Sequence, residues 1–221
     1  MIVLQTVDST NAYVKQNWPS LPDGEGVLAL EQTAGRGRLG RSWHSERGGL
    51  YLSVYLRENP GMLPFRAALA VRDALPSGLD VRFKWPNDLL LFSSGRLKKL
   101  CGILCEGFAG GCVAGIGVNL RFASEAPTPN AVSLADFCAP PAPETLGAAI
   151  CARLREWTQA DETEVLRVYE PLCATLGHSV TLPDGRPGHA AGLAPDGCLL
   201  VRTADGEERV GSGEVVVQSI Y

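Results

Sequence analysis

The sequence predicts an α+β fold, with a mixed or antiparallel sheet over residues 1–175 and a small all-β unit over residues 176–221. Three observations predict it. Through residue 120, short apolar runs are separated by turn residues instead of long helices. Two helix-length stretches follow, at 144–157 and 162–176. From Gly177 onward, Asp184-Gly185, Asp196-Gly197 and Asp205-Gly206 punctuate short apolar runs, the mark of tight antiparallel turns and of a compact barrel. At about 45 residues that last unit is near the lower limit for independent stability, so it is expected to dock on the larger one.

Taken in order, residues 2–7 read as a short strand, and Asp8-Ser9-Thr10-Asn11 supplies capping oxygens for a helix to residue 17. Residues 19–24 form a turn. Residues 27–32 are apolar enough for a buried strand, and residues 50–56 (LYLSVYL) form a second, so the segment between them is held by sheet at both ends. Pro64 suits the first turn of a helix to residue 75. Residues 81–84 begin a strand that Trp85-Pro86-Asn87-Asp88 breaks and 89–92 resumes; after a turn at Ser94-Gly95, residues 100–106 answer it. Residues 113–119 (VAGIGVN) carry glycines where a backbone or a ligand can come close. Glu144 and Glu162 fall in the first turns of the two later helices, where negative charge complements the dipole.

Charge and composition exclude several classes. With 20 basic against 24 acidic residues the formal net charge is −4, so a cationic island in this chain suits a small anion better than a nucleic-acid backbone. Seven cysteines without a C-x-x-C pair and three scattered histidines make no zinc pattern and fit the reduced thiols of a cytosol. The N-terminus has no basic region ahead of its apolar run, and no apolar run reaches the ~20 residues of a membrane span. The expectation is a cytoplasmic protein with no membrane partner.

The cationic island is Gly35-Arg36-Gly37-Arg38-Leu39-Gly40-Arg41, three guanidiniums on a backbone freed by three glycines. Each guanidinium is a planar fork suited to phosphate or carboxylate oxygens, and Trp43 adds an apolar plate. The segment reads as a loop that orders around a nucleotide; a solvated basic loop or an Arg-Gly tract for nucleic acid remains open on these residues alone. In Lys84-Trp85-Pro86-Asn87-Asp88, Pro86 forces Trp85 out of helical geometry and presents Asn87 and Asp88 at a strand break. Asn87 can read a base or ribose and Asp88 is a candidate for Mg²⁺ beside phosphate oxygens, while an aromatic-proline turn that caps itself is the plain alternative. Period two sends Lys98 and Lys99 to opposite faces, so one meets the interior and needs an anion there, unless both guard a solvated edge. No P-loop, dinucleotide fingerprint or nucleophile setting is present. Chemistry by positioning and charge stabilisation is therefore expected, without a covalent enzyme intermediate.

Together and in this order, Ser9-Thr10-Asn11, the run from Glu31 to Arg41 with Trp43, Lys84-Trp85-Pro86-Asn87-Asp88, Lys99-Leu100-Cys101-Gly102-Ile103-Leu104 with Glu106, and Gly115-Ile116-Gly117-Val118-Asn119-Leu120 resemble the biotin protein ligase family. The likeness is close over residues 5–120 and holds in outline beyond. It implies a biotin/lipoate ligase-type catalytic domain over 1–175 with an SH3-like barrel over 176–221. It also implies two-step chemistry, in which biotin and Mg-ATP give biotinyl-5′-AMP, which then acylates a lysine of the biotin carboxyl carrier domain of acetyl-CoA carboxylase. ATP and Mg²⁺ are co-substrates, and no tightly bound prosthetic group is implied.

By the same resemblance, Ser9, Thr10, Asn11 and Gln32 hydrogen-bond the ureido ring, and Arg36, Gly37, Arg38, Lys99, Gly102 and Gly115 complete the biotin site. Arg38, Arg41, Trp43, Lys84, Asn87, Lys99 and Asn119 serve the nucleotide, with Trp43 and Asn119 toward adenine. Lys99, Arg38 and Lys84 are the candidates for the chemical step. Leu39 interrupts the Arg run where some relatives carry another basic residue, and Cys101 and Cys105 are expected to be buried and inert. Eight residues precede Ser9, too few for the winged-helix DNA reader of some family members, so DNA is not an expected partner. A monomer or a homodimer is expected, with residues 112–118 as an exposed strand that could pair across an axis. A lipoate or octanoate ligase shares fold and logic but needs no ureido hydrogen bonds. A non-enzymatic biotin or nucleotide sensor is the alternative of another class.

Overall fold

Seven strands make the frame: β1 (Ile2–Leu4), β2 (Gly26–Ala29), β3 (Leu50–Leu56), β4 (Val81–Lys84), β5 (Asp88–Ser93), β6 (Arg96–Phe108) and β7 (Gly111–Val118). They lie in the order β1-β2-β3-β7-β6-β5-β4. β1 and β2 run parallel, and every other neighbouring pair is antiparallel. The computed structural model describes residues 1–123, 125–211 and 215–217, so positions 212–214 and 218–221 of the expected C-terminal unit lie outside the described residues.

All seven residues of β3 are buried because both faces of the sheet are covered. Leu52, Val54 and Leu56 pack with α2 (Leu63–Ala74) and α3 (Pro143–Gln159), while Tyr55 joins Val27, Val113 and Val14 of α1 (Thr10–Asn17) on the other side. Ser53 shares the α1 face with Tyr55, since neighbours two apart along a strand point the same way. α1 begins where the sequence places a cap, with Ser9 extended and its hydroxyl accepting from Ala12 N–H.

Three expectations are corrected. Residues 89–92 do not resume the strand of 81–84: Trp85, Pro86 and Asn87 form a tight turn in which Asn87 N–H donates to Lys84 O at 3.1 Å, the chain reverses, and β5 pairs antiparallel with β4, Lys84 opposite Asp88. β7 is an interior strand, bonded to β3 on one side and β6 on the other, so 112–118 offers no free edge; the edges of this sheet are β1 and β4. The helix expected over 162–176 stops early. α4 spans Glu162–Tyr169 and gives way to a 3-10 turn at Glu170–Leu172, where Pro171 lacks the N–H that a continuing α-helix would use. The residues that follow line up along β4 instead: Ala174 N–H donates to Phe83 O at 2.8 Å and Trp85 N–H to Thr175 Oγ1 at 3.0 Å. Tyr169 is stacked between Phe65 and Phe83, with ring centroids 4.1 and 4.5 Å away. Arg66, buried on α2, donates to the carbonyls of Gly61 and Ala160 at 2.8 Å each, and also to Trp157 O, satisfying orphan carbonyls at the end of α3.

The C-terminal strands β8 (Ser179–Thr181), β9 (Pro187–Leu193), β10 (Leu199–Thr203), β11 (Gly206–Val210) and β12 (Val216–Val217) form an antiparallel sheet in the order β11-β10-β9-β8-β12. It sits against the β4–β5 turn: Trp85 Nε1–H donates to Gly197 O at 3.0 Å, and one apolar core runs from the large sheet into Val180, Leu199 and Val201. Gly197 adopts φ +83° with Met62 3.2 Å from where a Cβ would stand, so both conformation and contact call for glycine.

Candidate active site

A single cavity of about 860 Å³ is lined by every residue the sequence nominated: Ser9, Thr10, Asn11, Gln32, Arg36, Gly37, Arg38, Arg41, Trp43, Lys84, Asn87, Asp88, Lys99, Gly102, Gly115 and Asn119. It lies on the α1 side of the sheet. Three local devices bring the groups there.

The first is the start of α1. Thr10 backbone N–H donates to Gln32 Oε1 at 2.9 Å, and Gln32 Nε2–H reaches Ser45 Oγ at 2.9 Å, which in turn donates to Trp43 O at 3.0 Å. Asn11 Nδ2 donates to Leu104 O at 3.1 Å and to Glu106 Oε2 at 2.8 Å, while its Oδ1 accepts from buried Ser53 at 2.6 Å. Asn11 thus spends its amide on the protein. It fits only because Gly115 has no side chain; a Cβ there would come within 2.4 Å of Asn11 Oδ1.

The second device is the arginine segment, which is a small closed hairpin with backbone bonds of its own. Trp43 N–H donates to Gly35 O at 2.9 Å, Gly37 N–H to Arg41 O at 2.6 Å, and a 3-10 turn, Arg38–Gly40, makes the tip. Leu39 at that tip has φ 55° and ψ 39° and is 68% exposed, a left-handed conformation that costs a branched-chain residue about 1 kcal/mol or more. Arg36 Nη2 meets Glu106 Oε2 at 3.0 Å and Arg38 Nη1 meets Asn87 Oδ1 at 2.8 Å, so the cations are tethered over the cavity.

The third is the β4–β5 turn with β6 beside it. The Trp85–Pro86 peptide bond is cis. Asn87 Nδ2 donates to Ile103 O at 2.9 Å, which aims its carbonyl at Arg38. Lys99 Nζ lies 2.8 Å from Asp88 Oδ1 and 5.1 Å from the centre of the Trp43 ring. The inward lysine therefore has the anion that the sequence reading required. Trp43 rests flat on the glycines of β6 and β7: a Cβ at Gly117 would fall 2.5 Å from Trp43 Nε1, and one at Gly102 2.8 Å from its ring. Trp43 Nε1 has no hydrogen-bond partner among the described residues. Asn119 donates to Lys99 O and Val132 O, 3.3 and 3.2 Å away, pinning the chain after β7 against β6.

Charge is balanced locally. Burial, the largest influence on Glu106, favours its neutral form, but hydrogen bonds from Lys15 and Asn11 and the charges of Arg36 and Lys15 outweigh it and hold the carboxyl below its usual range. Burial, with Glu46 and Glu31 nearby, pushes the Tyr51 phenol up to about 12, so it stays protonated and donates to Glu46 O at 2.6 Å. Burial raises the Cys101 and Cys105 thiols well above their ordinary values; Cys101 is buried as expected, whereas Cys105 is half-buried. Among the described residues no three His, Cys, Asp or Glu side chains converge as metal ligands, and Asp88 is already paired with Lys99.

Several contributors were not nominated. Ser53 had a signal, a lone hydroxyl in the otherwise apolar LYLSVYL. Glu106 was noticed only as part of a motif, although it gathers Asn11, Lys15 and Arg36. Ser45, the Thr128–Asn130 region and Val215 also line the cavity and had no signal, because their place depends on how distant loops fold over the sheet.

Comparisons with known proteins agree with this geometry. Residues 3–122 match the model of the biotin/lipoate A/B protein ligase family, and residues 175–217 match that of the biotin protein ligase C terminal domain. A biotin–[acetyl-CoA-carboxylase] ligase of Mycobacterium tuberculosis is 34% identical over 97% of this chain and 87% of its own length. A bifunctional ligase/repressor of Bacillus spizizenii is 29% identical over 88% of the chain, and the match covers 66% of that longer protein. A structure of biotin protein ligase from Aquifex aeolicus in complex with biotin and ATP superposes with a TM-score of 0.84 at 31% identity, covering 99% of this chain and 98% of that one.

Proposed function

Because the chain belongs to the biotin/lipoate A/B protein ligase family, we infer that it is an ATP-dependent biotin–[acetyl-CoA-carboxylase] ligase. One observation carries this reading: a single cavity joins an uncharged hydrogen-bonding end, at Ser9, Thr10 and Gln32, to a cationic end at Arg36, Arg38, Arg41, Lys84 and Lys99. A ureido ring suits the first end, and a carboxylate meeting a triphosphate needs the second. In the first step a biotin carboxylate oxygen attacks the α-phosphorus of ATP, the bond to the β-phosphate oxygen breaks, and pyrophosphate leaves. In the second, the ε-amine of a carrier lysine attacks the acyl carbon, AMP leaves, and the amine loses a proton.

Within this reading Lys99, held between Asp88 and the Trp43 ring, stabilises the charge that gathers where carboxylate and phosphate meet. Arg38, fixed by Asn87, and Lys84 neutralise the phosphoryl oxygens with Arg41. Arg36 and Gly37 cover the acid, and Trp43 with Asn119 borders the base. Asn11, Gly102 and Gly115 shape the biotin site without needing to touch the ring. Mg²⁺ would travel with the triphosphate, with Asp88 the carboxylate beside it, and no step here depends on it. Residues 1–175 are proposed as the catalytic unit and 176–221 as the C-terminal unit, with Val215 reaching the cavity rim. The carrier domain of acetyl-CoA carboxylase is the proposed protein partner and the cytoplasm the proposed location; no helix of the described residues is long and apolar enough to cross a membrane.

ATP–pyrophosphate exchange with biotin, lipoate and octanoate as the acid tests the reading. Exchange that depends on biotin is expected. Exchange with lipoate or octanoate in its place would change the substrate, and none with any acid would remove the ligase reading.

A further inference from the structure

Ser53 is completely buried at the centre of β3, 2.7 Å from Thr10 Oγ1 and 2.6 Å from Asn11 Oδ1. Proton accounting fixes the direction of these bonds. Asn11 Nδ2 faces Leu104 O and the Glu106 carboxylate, both acceptors only, so the amide cannot be turned and its Oδ1 must accept from Ser53. The one Ser53 proton is then used. Two hydroxyl oxygens 2.7 Å apart with no proton between them would repel, so the Thr10 hydroxyl must donate to Ser53. Gln32 Oε1, 3.1 Å from Thr10 Oγ1, is the other acceptor within reach of that proton, but it lies farther off than Ser53 and already accepts the Thr10 backbone N–H at 2.9 Å; with either acceptor the Thr10 proton is spent inside the protein. Thr10 Oγ1 therefore faces the cavity with lone pairs alone.

We propose that Ser53 is the positioning residue that sets acid specificity, by holding Thr10 as an obligate acceptor and Asn11 as its rigid neighbour, so that the cavity demands an N–H donor from the substrate. A ureido ring supplies one; a dithiolane or an alkyl chain does not. Ser53 touches no ligand and acts through Thr10. The proposal rests on the biotin reading above.

The test is steady-state exchange kinetics on Ser53→Ala and Ser53→Cys, each checked first by thermal melting. For Ser53→Ala the KM for biotin is expected to rise about tenfold to a hundredfold, with kcat at saturating biotin and the KM for ATP within about twofold. The preference for biotin over lipoate should narrow by a similar factor. Ser53→Cys keeps a weak donor and should fall between; if the alanine variant does not fold, the cysteine variant decides. An unchanged KM for biotin, or biotin and ATP constants that rise together, overturns the role of Ser53. Absence of biotin-dependent exchange in the wild type would instead remove the function on which it rests.

Discussion

At the α1 end of the cavity, Ser9, Thr10, Asn11 and Ser53 are buried, and both Nδ2 protons of Asn11 are spent within the protein. At the loop end, Arg36 is 42% exposed and pairs with Glu106, while Leu39 at the tip points outward in a left-handed conformation. Exposed ion pairs contribute little and are readily exchanged for better ones, whereas breaking a buried network leaves orphaned groups that cost far more. The two ends are therefore suited to different tasks: one recognises a fixed neutral shape, and the other trades protein carboxylates for ligand phosphates. Glu106 joins them, since it binds Asn11 on one side and Arg36 on the other.

The contrast can be broken most directly at Lys99, whose proposed role is in the chemical step. Lys99→Ala should lower pyrophosphate exchange about a hundredfold or more while melting remains cooperative; near-normal exchange would remove Lys99 from the chemical step. The next largest effect is expected in stability at the buried end. Asn11→Leu should cost about 2–3 kcal/mol in denaturant unfolding, because Ser53, Leu104 O and Glu106 all lose a partner. Arg36→Ala should cost less than about 1 kcal/mol. Equal losses for the two would erase the distinction between the ends.

Glu106→Gln sharpens it further through pH. Because the folded carboxyl titrates below its ordinary value, its contribution to stability is present above the unfolded pKa of about 4.3 and is lost as pH falls through the folded one. The wild type should thus lose this increment on acidification and Glu106→Gln should not, which urea midpoints across that range would reveal. The smallest effect is expected at the tip: Leu39→Asn relieves left-handed strain and should stabilise by about 0.5 kcal/mol or less, with exchange unchanged. A large loss of exchange would mean that the Leu39 side chain contacts biotin or ATP.

Much of this architecture was legible because it rests on local rules. Ser9 caps α1, Pro64 lies in the first turn of α2, LYLSVYL is a strand from its first residue to its last, and Asp-Gly pairs turn the C-terminal strands. The errors came where distant contacts overrode them. VAGIGVN looked like an edge, yet its glycines exist to admit Trp43 and Asn11 from elsewhere. The helix after Glu162 read as long until Pro171 and the pairing of residues 173–175 with β4 ended it.

The sequence by itself determined which chemical groups this protein can bring to a site: three arginines among glycines, two adjacent lysines sent to opposite faces of a strand, a proline-fixed segment bearing Asn87 and Asp88, and a hydroxyl-rich helix start. Only the tertiary structure decided which of them face a ligand and which are consumed within the protein. Asn11 meets Ser53 across 42 residues of chain and Glu106 across 95. Such pairings depend on the register of β3 and β6 beneath α1. A donor's partner, and hence the direction of its proton, is fixed only when that register is set.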